Sequence, residues 1–207
     1  MEPQTSLPIF LSSVVLVSLS GVMAPGPVFA VTVARGYESR KAGILIALGH
    51  GLVEVPLIFL LFFGLSEFFC SVLVQKTASL LGGSVLIILG LQMFKNRRKV
   101  SLKPQLSGYG SLFSGFAATA ANPYFFLWGA TVGATFIFEA SIFGYMGIAL
   151  FTIVHWSCDL AWYTFVAFTV FKSRRFWTQK VFEAVFMFCF TVLTAFGIWF
   201  LFSALLQ

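Results

Sequence analysis

Two short segments of the sequence place a histidine four residues before an acid within apolar surroundings. They read "HGLVE", with His50 and Glu54, and "HWSCD", with His155 and Asp159. Residues four apart lie on one face of a helix, so each histidine is predicted to lie next to its own acid. Imidazole and carboxylate groups can relay protons. The pattern therefore predicts proton or cation coupling by these four side chains, with a structural, helix-bridging role as the alternative.

The same four side chains also define a metal hypothesis. Imidazole and carboxylate are suitable ligands for zinc and similar ions, and such ions need ligand atoms at about 2 Å. If the two helices meet near Glu54 and Asp159, then His50, Glu54, His155 and Asp159 can act as ligands. A divalent metal cation exporter is therefore the alternative to a proton-coupled carrier of small metabolites.

Proline interrupts two other apolar segments. "MAPGPVF" contains Pro25, Gly26 and Pro27, and "AANPYFF" contains Asn122 and Pro123. Glycine or asparagine followed by proline favours the start of a new helix. A helix start exposes free backbone N–H groups and the positive end of the helix dipole, which can hold a carboxylate. These five residues are therefore predicted to bind substrate, whereas simple kinks are the alternative.

Membrane-spanning helices must position all of these residues. The chain has 207 residues, of which 59% are hydrophobic and 10% are charged, whereas about a quarter of the residues of a typical soluble domain are charged. About 20 apolar residues suffice to cross the hydrocarbon core. Six runs qualify, and we predict an all-α integral membrane protein with six transmembrane helices at about residues 8–34, 42–65, 77–94, 111–137, 142–171 and 182–205.

The basic residues predict the orientation of these spans. Lys and Arg are concentrated after the first, third and fifth runs, at Arg35, Arg40, Lys41, Lys95, Arg97, Arg98, Lys99, Lys103, Lys172, Arg174, Arg175 and Lys180. Cytoplasmic loops are enriched in these residues. We therefore expect both termini outside. The net charge of +6 follows from this topology, so no nucleic-acid partner is expected.

The recurrence of both patterns predicts an internal repeat within a single membrane domain, residues 1–207. The first three-helix repeat is residues 1–95, a basic cytoplasmic linker is residues 96–106, and the second repeat is residues 107–207. Three spans in each half require the second half to enter from the opposite side, so the repeats are inverted. Many secondary transporters have this design, with broken helices at the substrate site.

The segment "APGPVFAVTVARGYESRKAGILIALGHGLVE" resembles the lysine exporter (LysE/RhtB-type) family of amino-acid translocators. The Asn-Pro of "TAANPYFFLWGATVG" matches a second family hallmark, although Tyr124 stands where many members have lysine. The resemblance implies a six-span inner-membrane (plasma-membrane) carrier that exports amino acids or related small metabolites by proton or ion antiport.

The motifs that are absent from the sequence argue against an enzyme. The sequence has no His-Glu-x-x-His motif, no Gly-x-Ser-x-Gly elbow and no glycine-rich nucleotide loop, which are signatures of intramembrane hydrolases and nucleotide-driven pumps. We expect no cofactor, and as partners a small-molecule substrate and membrane lipid. Small-xxx-small patterns at 111–115 and 129–133 favour close helix packing and leave a homodimer open.

Overall fold

The computed structural model describes residues 6–23, 26–64, 68, 72–97 and 108–206. All regular structure in these ranges is helical, with a π-helical turn at Gly129–Gly133 and a 3₁₀ turn at Arg174–Phe176. The α-helices are α1 (Leu7–Val22), α2 (Pro27–Glu38), α3 (Ala42–Phe62), α4 (Val72–Asn96), α5 (Gly108–Ala120), α6 (Pro123–Trp128), α7 (Ala134–Ile142), α8 (Gly144–Ser173) and α9 (Gln179–Leu206).

Not all of the six predicted spans are supported equally. In the described part of the chain, four helical segments are long and apolar enough to cross a membrane, at Ala42–Phe62, Val72–Leu91, Phe125–Ile142 and Gln179–Leu205, and the bent pair of α1 and α2 makes a fifth. Helix α8 is long enough, with 30 residues, but His155 and Asp159 lower the hydropathy of its middle. The chain is a multi-pass membrane protein, and a sixth crossing by α8 stays a prediction.

The first predicted span is broken, as its prolines indicated. Helices α1 and α2 meet at an angle of 74°. Gly26 is the N-cap of α2 in an extended conformation, and Pro27 is the first helical residue, a position where a missing N–H does no harm. Pro25 lies outside the described residues, so its predicted role is untested. The break thus puts a helix start inside the protein, with Pro27 and Val28 buried.

The second broken segment has a more complex path. Helix α5 ends at Ala120, Asn122 is the N-cap of α6, and Pro123 is its first residue. The helix then passes through the π turn directly into α7. The sequence indicated the break but not the π turn. Such turns are frequent at functional sites. Close packing at 129–133 is seen at Gly129, where an added Cβ atom would lie 3.2 Å from Leu57 Cδ2 of α3.

Close helix packing surrounds both breaks. A Cβ atom at Gly49 of α3 would overlap the backbone of Leu112 in α5. A Cβ atom at Gly115 of α5 would overlap the backbone of Ile46 in α3. Helices α4 and α9 are equally close, since a Cβ atom at Gly83 of α4 would lie 2.7 Å from the carbonyl oxygen of Gly197 in α9. Helix α3 therefore packs between α5 and α8, and α4 packs along α9.

The proposed division into repeats is only partly visible. Residues 98–106, most of the predicted basic linker, lie outside the described residues. The predicted third span corresponds to α4 and the predicted sixth span to α9. The domain boundaries and the inverted arrangement therefore stay predictions.

Candidate functional site

A buried group of four side chains, here called the His–acid cluster, lies between α3 and α8. It contains His50, Glu54, His155 and Asp159, none of which is more than 7% exposed. Glu54 Oε1 lies 3.1 Å from His50 Nε2 and 3.0 Å from His155 Nε2. Asp159 Oδ1 lies 3.9 Å from His50 Nε2. The structure therefore brings together all four residues singled out by the sequence pattern.

The pairing within the cluster differs from the prediction for α8. His50 contacts its own acid, Glu54, as the four-residue spacing predicted. The ring nitrogens of His155 instead bond Glu54 and Ser18, so Asp159, one turn further along the same helix, is not its hydrogen-bond partner. Helices α3 and α8 approach each other closely. The Glu54 carboxylate therefore lies nearer to the His155 ring than the carboxylate of Asp159 does.

Two hydroxyl groups determine which ring nitrogen carries hydrogen. Ser18 Oγ donates to the carbonyl oxygen of Val14 and lies 2.6 Å from His155 Nδ1. Thr119 Oγ1 donates to the carbonyl oxygen of Gly115 and lies 2.8 Å from His50 Nδ1. A hydroxyl has one hydrogen to donate, so each must accept from an Nδ1–H. This assignment from the hydrogen-bond network leaves both Nε2 atoms directed at Glu54.

Aromatic rings hold the two imidazoles in place. The His155 ring is stacked between Trp128 and Phe151, with centroid distances of 5.8 Å and 5.5 Å and nearly parallel planes. The His50 ring has edge contacts with Phe125 and Tyr163. Packing on both faces or edges restricts ring rotation, so the direction of each Nε2 atom is fixed.

Three buried oxygen atoms near the cluster have no hydrogen-bond partner among the described residues. They are Glu54 Oε2, Asp159 Oδ2 and Asn122 Oδ1. Burying a polar group without a partner is costly, and far more so for a charge. All three residues line the same cavity. These acceptors therefore favour a positively charged or hydrogen-donating ligand.

The cavity joins the cluster to the first helix break. Its volume is about 590 Å³, within the range of sites for small molecules. Gly26, Pro27 and Val28 line one part, together with Gly21 at the end of α1. Aromatic side chains form much of the remaining wall: Phe29, Phe125, Trp128, Tyr163, Phe196 and Trp199.

The predicted substrate residues are distributed unevenly around this cavity. Gly26, Pro27 and Asn122 line it, and Pro123 begins the helix that follows Asn122. Asn122 is the N-cap residue of α6, but its side chain makes no capping hydrogen bond. Its amide oxygen is buried without a partner instead, and Asn122 is therefore free to meet a ligand.

Sequence reasoning missed Ser18 and Thr119. Serine and threonine are common in membrane helices, where they bond the carbonyl oxygen one turn back, so neither position stands out in an apolar run. A weak signal was present, since each lies in the helix that precedes a proline break. Trp128 also lines the cavity, and its position shortly after the Asn-Pro break is a signal that the sequence offers.

A cavity at a break between membrane helices, with ionisable groups in its wall, is the arrangement of a secondary membrane transporter. The model of the LysE type translocator family matches residues 19–204. The chain belongs to this family, and the resemblance noted in its sequence is confirmed. Neither a curated protein nor a solved structure matches it. Family membership makes the protein a membrane transporter of small molecules rather than an enzyme.

Proposed function

We propose that this protein is a secondary-active exporter of amino acids or similar small metabolites in the plasma (inner) membrane, driven by antiport against protons or another cation. One observation carries the proposal: a single cavity contains both the start of α2 and the His–acid cluster. A helix start favours a negative group, and buried carboxylates favour a positive one. A solute with a carboxylate and an ammonium group complements both ends.

The start of α2 supplies the end of the cavity for the carboxylate. The N–H groups of Val28 and Phe29 belong to the first turn, which has no intrahelical acceptor, and no side chain caps this helix. Both residues line the cavity. The second helix start, at Asn122 and Pro123, adds its dipole from another direction. Gly26, Pro27, Asn122 and Pro123 are therefore the proposed substrate-binding residues.

The His–acid cluster supplies the cationic end and the coupling. Glu54 Oε2 and Asp159 Oδ2 are free to accept from an ammonium group, and the faces of Trp128 and Tyr163 attract cations. The same carboxylates, with His50 and His155, bind the coupling proton or cation. Cargo and coupling cation cannot occupy one oxygen together, so each lowers the affinity for the other. Such competition is the basis of antiport.

The contacts also support an inverted repeat as part of the proposal. Ser18 of the first half bonds His155 of the second, and Thr119 of the second half bonds His50 of the first. Exchange of equivalent partners between halves is expected from two-fold symmetry. Alternating access would then follow from movement of one half against the other around the cavity, with both termini outside.

Counterflow in proteoliposomes tests the proposal. Purified protein is reconstituted with an unlabelled amino acid inside, and uptake of the same labelled compound is measured over a panel of the common amino acids. We expect transient accumulation of at least one labelled compound. Absence of accumulation for every member of the panel, in protein shown to be folded and monodisperse, would contradict the proposal.

A pair of substitutions at Gly21 tests whether this cavity holds the cargo. A Cβ atom at Gly21 would lie 3.8 Å from Trp128 Cζ2, an ordinary contact, so Gly21→Ala should leave counterflow close to wild type. Gly21→Phe places a ring against Trp128, inside the cavity. If this ring displaces contacts to the cargo worth about 1.4 kcal/mol, the apparent affinity for the cargo falls about tenfold. Counterflow with Gly21→Phe at the wild-type rate and affinity would show that the cargo binds elsewhere.

A further inference from the structure

We infer that the His–acid cluster is a binding site for a divalent transition-metal ion of the zinc type, with Nε2 of His50 and the carboxylates of Glu54 and Asp159 as ligands and with His155 Nε2, which contacts Glu54, as a donor beside them. This goes beyond the proposed export of amino acids, because it assigns a ligand to the cluster whatever solute occupies the cavity.

The spacing of the donor atoms fits a tetrahedral ion. Ligand bonds of about 2.0–2.1 Å place neighbouring ligand atoms of a tetrahedral site about 3.3 Å apart. Glu54 Oε1 lies 3.1 Å and 3.0 Å from the two Nε2 atoms, and Asp159 Oδ1 lies 3.9 Å from His50 Nε2. The ligand atoms of His50, Glu54 and Asp159 all lie within 4.8 Å of one another. An ion is therefore admitted when Asp159 Oδ1 moves roughly 0.6 Å closer to His50 Nε2, from the present 3.9 Å to the tetrahedral spacing.

The hydrogen bonds prepare the imidazoles for metal binding. Metal-bound histidines almost always donate their other ring N–H to an acceptor, which fixes the tautomer and orientation. Ser18 and Thr119 are those acceptors, because each hydroxyl already donates to a helix carbonyl oxygen. In this tautomer the Nε2 lone pairs of both histidines face an oxygen of Glu54. Acceptors that meet in this way favour a positive species among them, either a metal ion or a proton on each Nε2.

The charge of the cluster matches a divalent ion. With neutral imidazoles, Glu54 and Asp159 carry two negative charges in a buried site, and Oε2 of Glu54 and Oδ2 of Asp159 have no partner in the described part of the chain. One divalent ion offsets both charges. Two imidazole nitrogens favour zinc, cobalt or nickel over magnesium and calcium, which prefer oxygen ligands.

Cobalt absorption measured on the purified full-length protein in detergent tests this inference. Co²⁺ in a tetrahedral site absorbs visible light far more strongly than Co²⁺ in water. We expect a saturable visible band with wild-type protein, with a stoichiometry of one ion per chain, and displacement of the band by Zn²⁺. His50→Ala and Glu54→Gln should lose the band, since each removes a ligand.

The hydroxyl variants keep the test informative if a ligand variant fails to fold. Ser18→Ala and Thr119→Ala retain every ligand, but each removes the acceptor that orients one imidazole. Loss of such an outer partner is expected to weaken affinity about 10–100-fold. Ser157→Ala and Thr191→Ala are matched controls, because these exposed hydroxyls bond only a carbonyl oxygen one turn back. The controls should bind cobalt as the wild type does.

Two results would overturn the inference. One is the absence of a saturable band with folded wild-type protein. The other is a band that persists in Ser18→Ala, in Thr119→Ala and in every ligand variant that folds. Neither result depends on transport. Counterflow of amino acids is measured separately in buffer without added metal. Absence of counterflow in protein that shows the cobalt band would contradict the proposed function and leave the metal site standing.

Discussion

Replacing Glu54 with glutamine is expected to stop gradient-driven transport while cargo-for-cargo exchange continues. Glu54 Oε1 contacts both His50 Nε2 and His155 Nε2, and it accepts a hydrogen bond from each when these nitrogens carry a proton. Hydrogen bonds to charged groups contribute about 1.5–3 kcal/mol each. If the loss of both raises the activation free energy of coupled transport by that amount, the rate falls at least about 100-fold. Counterflow moves no net coupling cation, so it should persist in Glu54→Gln.

The measurement is accumulation of labelled amino acid in proteoliposomes under an imposed pH gradient, compared with counterflow in the same preparation. Glu139→Gln is the matched control, because Glu139 is exposed and its substitution removes a charge far from the cluster. Size-exclusion chromatography and thermal unfolding establish that Glu54→Gln is folded. Gradient-driven accumulation at the wild-type rate in this variant would exclude Glu54 from coupling.

Single and double substitutions of the histidines should give non-additive losses. Asparagine in place of histidine can keep a polar contact to Ser18 or Thr119 on the Nδ1 side, and it removes Nε2. Each of His50→Asn and His155→Asn loses one bond to Glu54, and a loss of about 1.5–3 kcal/mol corresponds to about a tenfold or greater fall in gradient-driven transport.

The double variant distinguishes one shared site from two independent sites. Both histidines act on the same oxygen of Glu54. Residues that share a partner in this way show interaction energies of about 0.5–3 kcal/mol. His50→Asn/His155→Asn should therefore be only slightly worse than the poorer single variant. A loss equal to the product of the two single losses would mean that the histidines act separately.

Much of the site could be predicted because its signals are local. Proline has no N–H to donate, so "PGPV" and "NPYF" indicate helix starts, and the structure has α2 and α6 beginning at Pro27 and Pro123. The acids in apolar runs stand out because a charge in the membrane is costly. Glu54 and Asp159 were therefore identified from residue type and position alone.

The rest depends on contacts between helices that are distant in sequence. Spacing along α8 predicts only neighbours on the same helix, so it indicated Asp159 as the partner of His155 and missed Glu54, which is 101 residues away. The role of Ser18 depends on the packing of α1 against α8 in the same way. The π turn at Gly129–Gly133 could not be predicted, since glycine and small residues are compatible with either helix type.

The most direct test of the central claim, that cargo and coupling cation share one buried cavity, is uptake of labelled amino acids by wild-type proteoliposomes under imposed gradients of pH and of other cations. The proposal predicts accumulation above the external concentration for at least one compound, and loss of that accumulation when an ionophore collapses all cation gradients. Uptake that never exceeds equilibrium, in folded protein that still performs counterflow, would show a carrier without cation coupling and would contradict the claim.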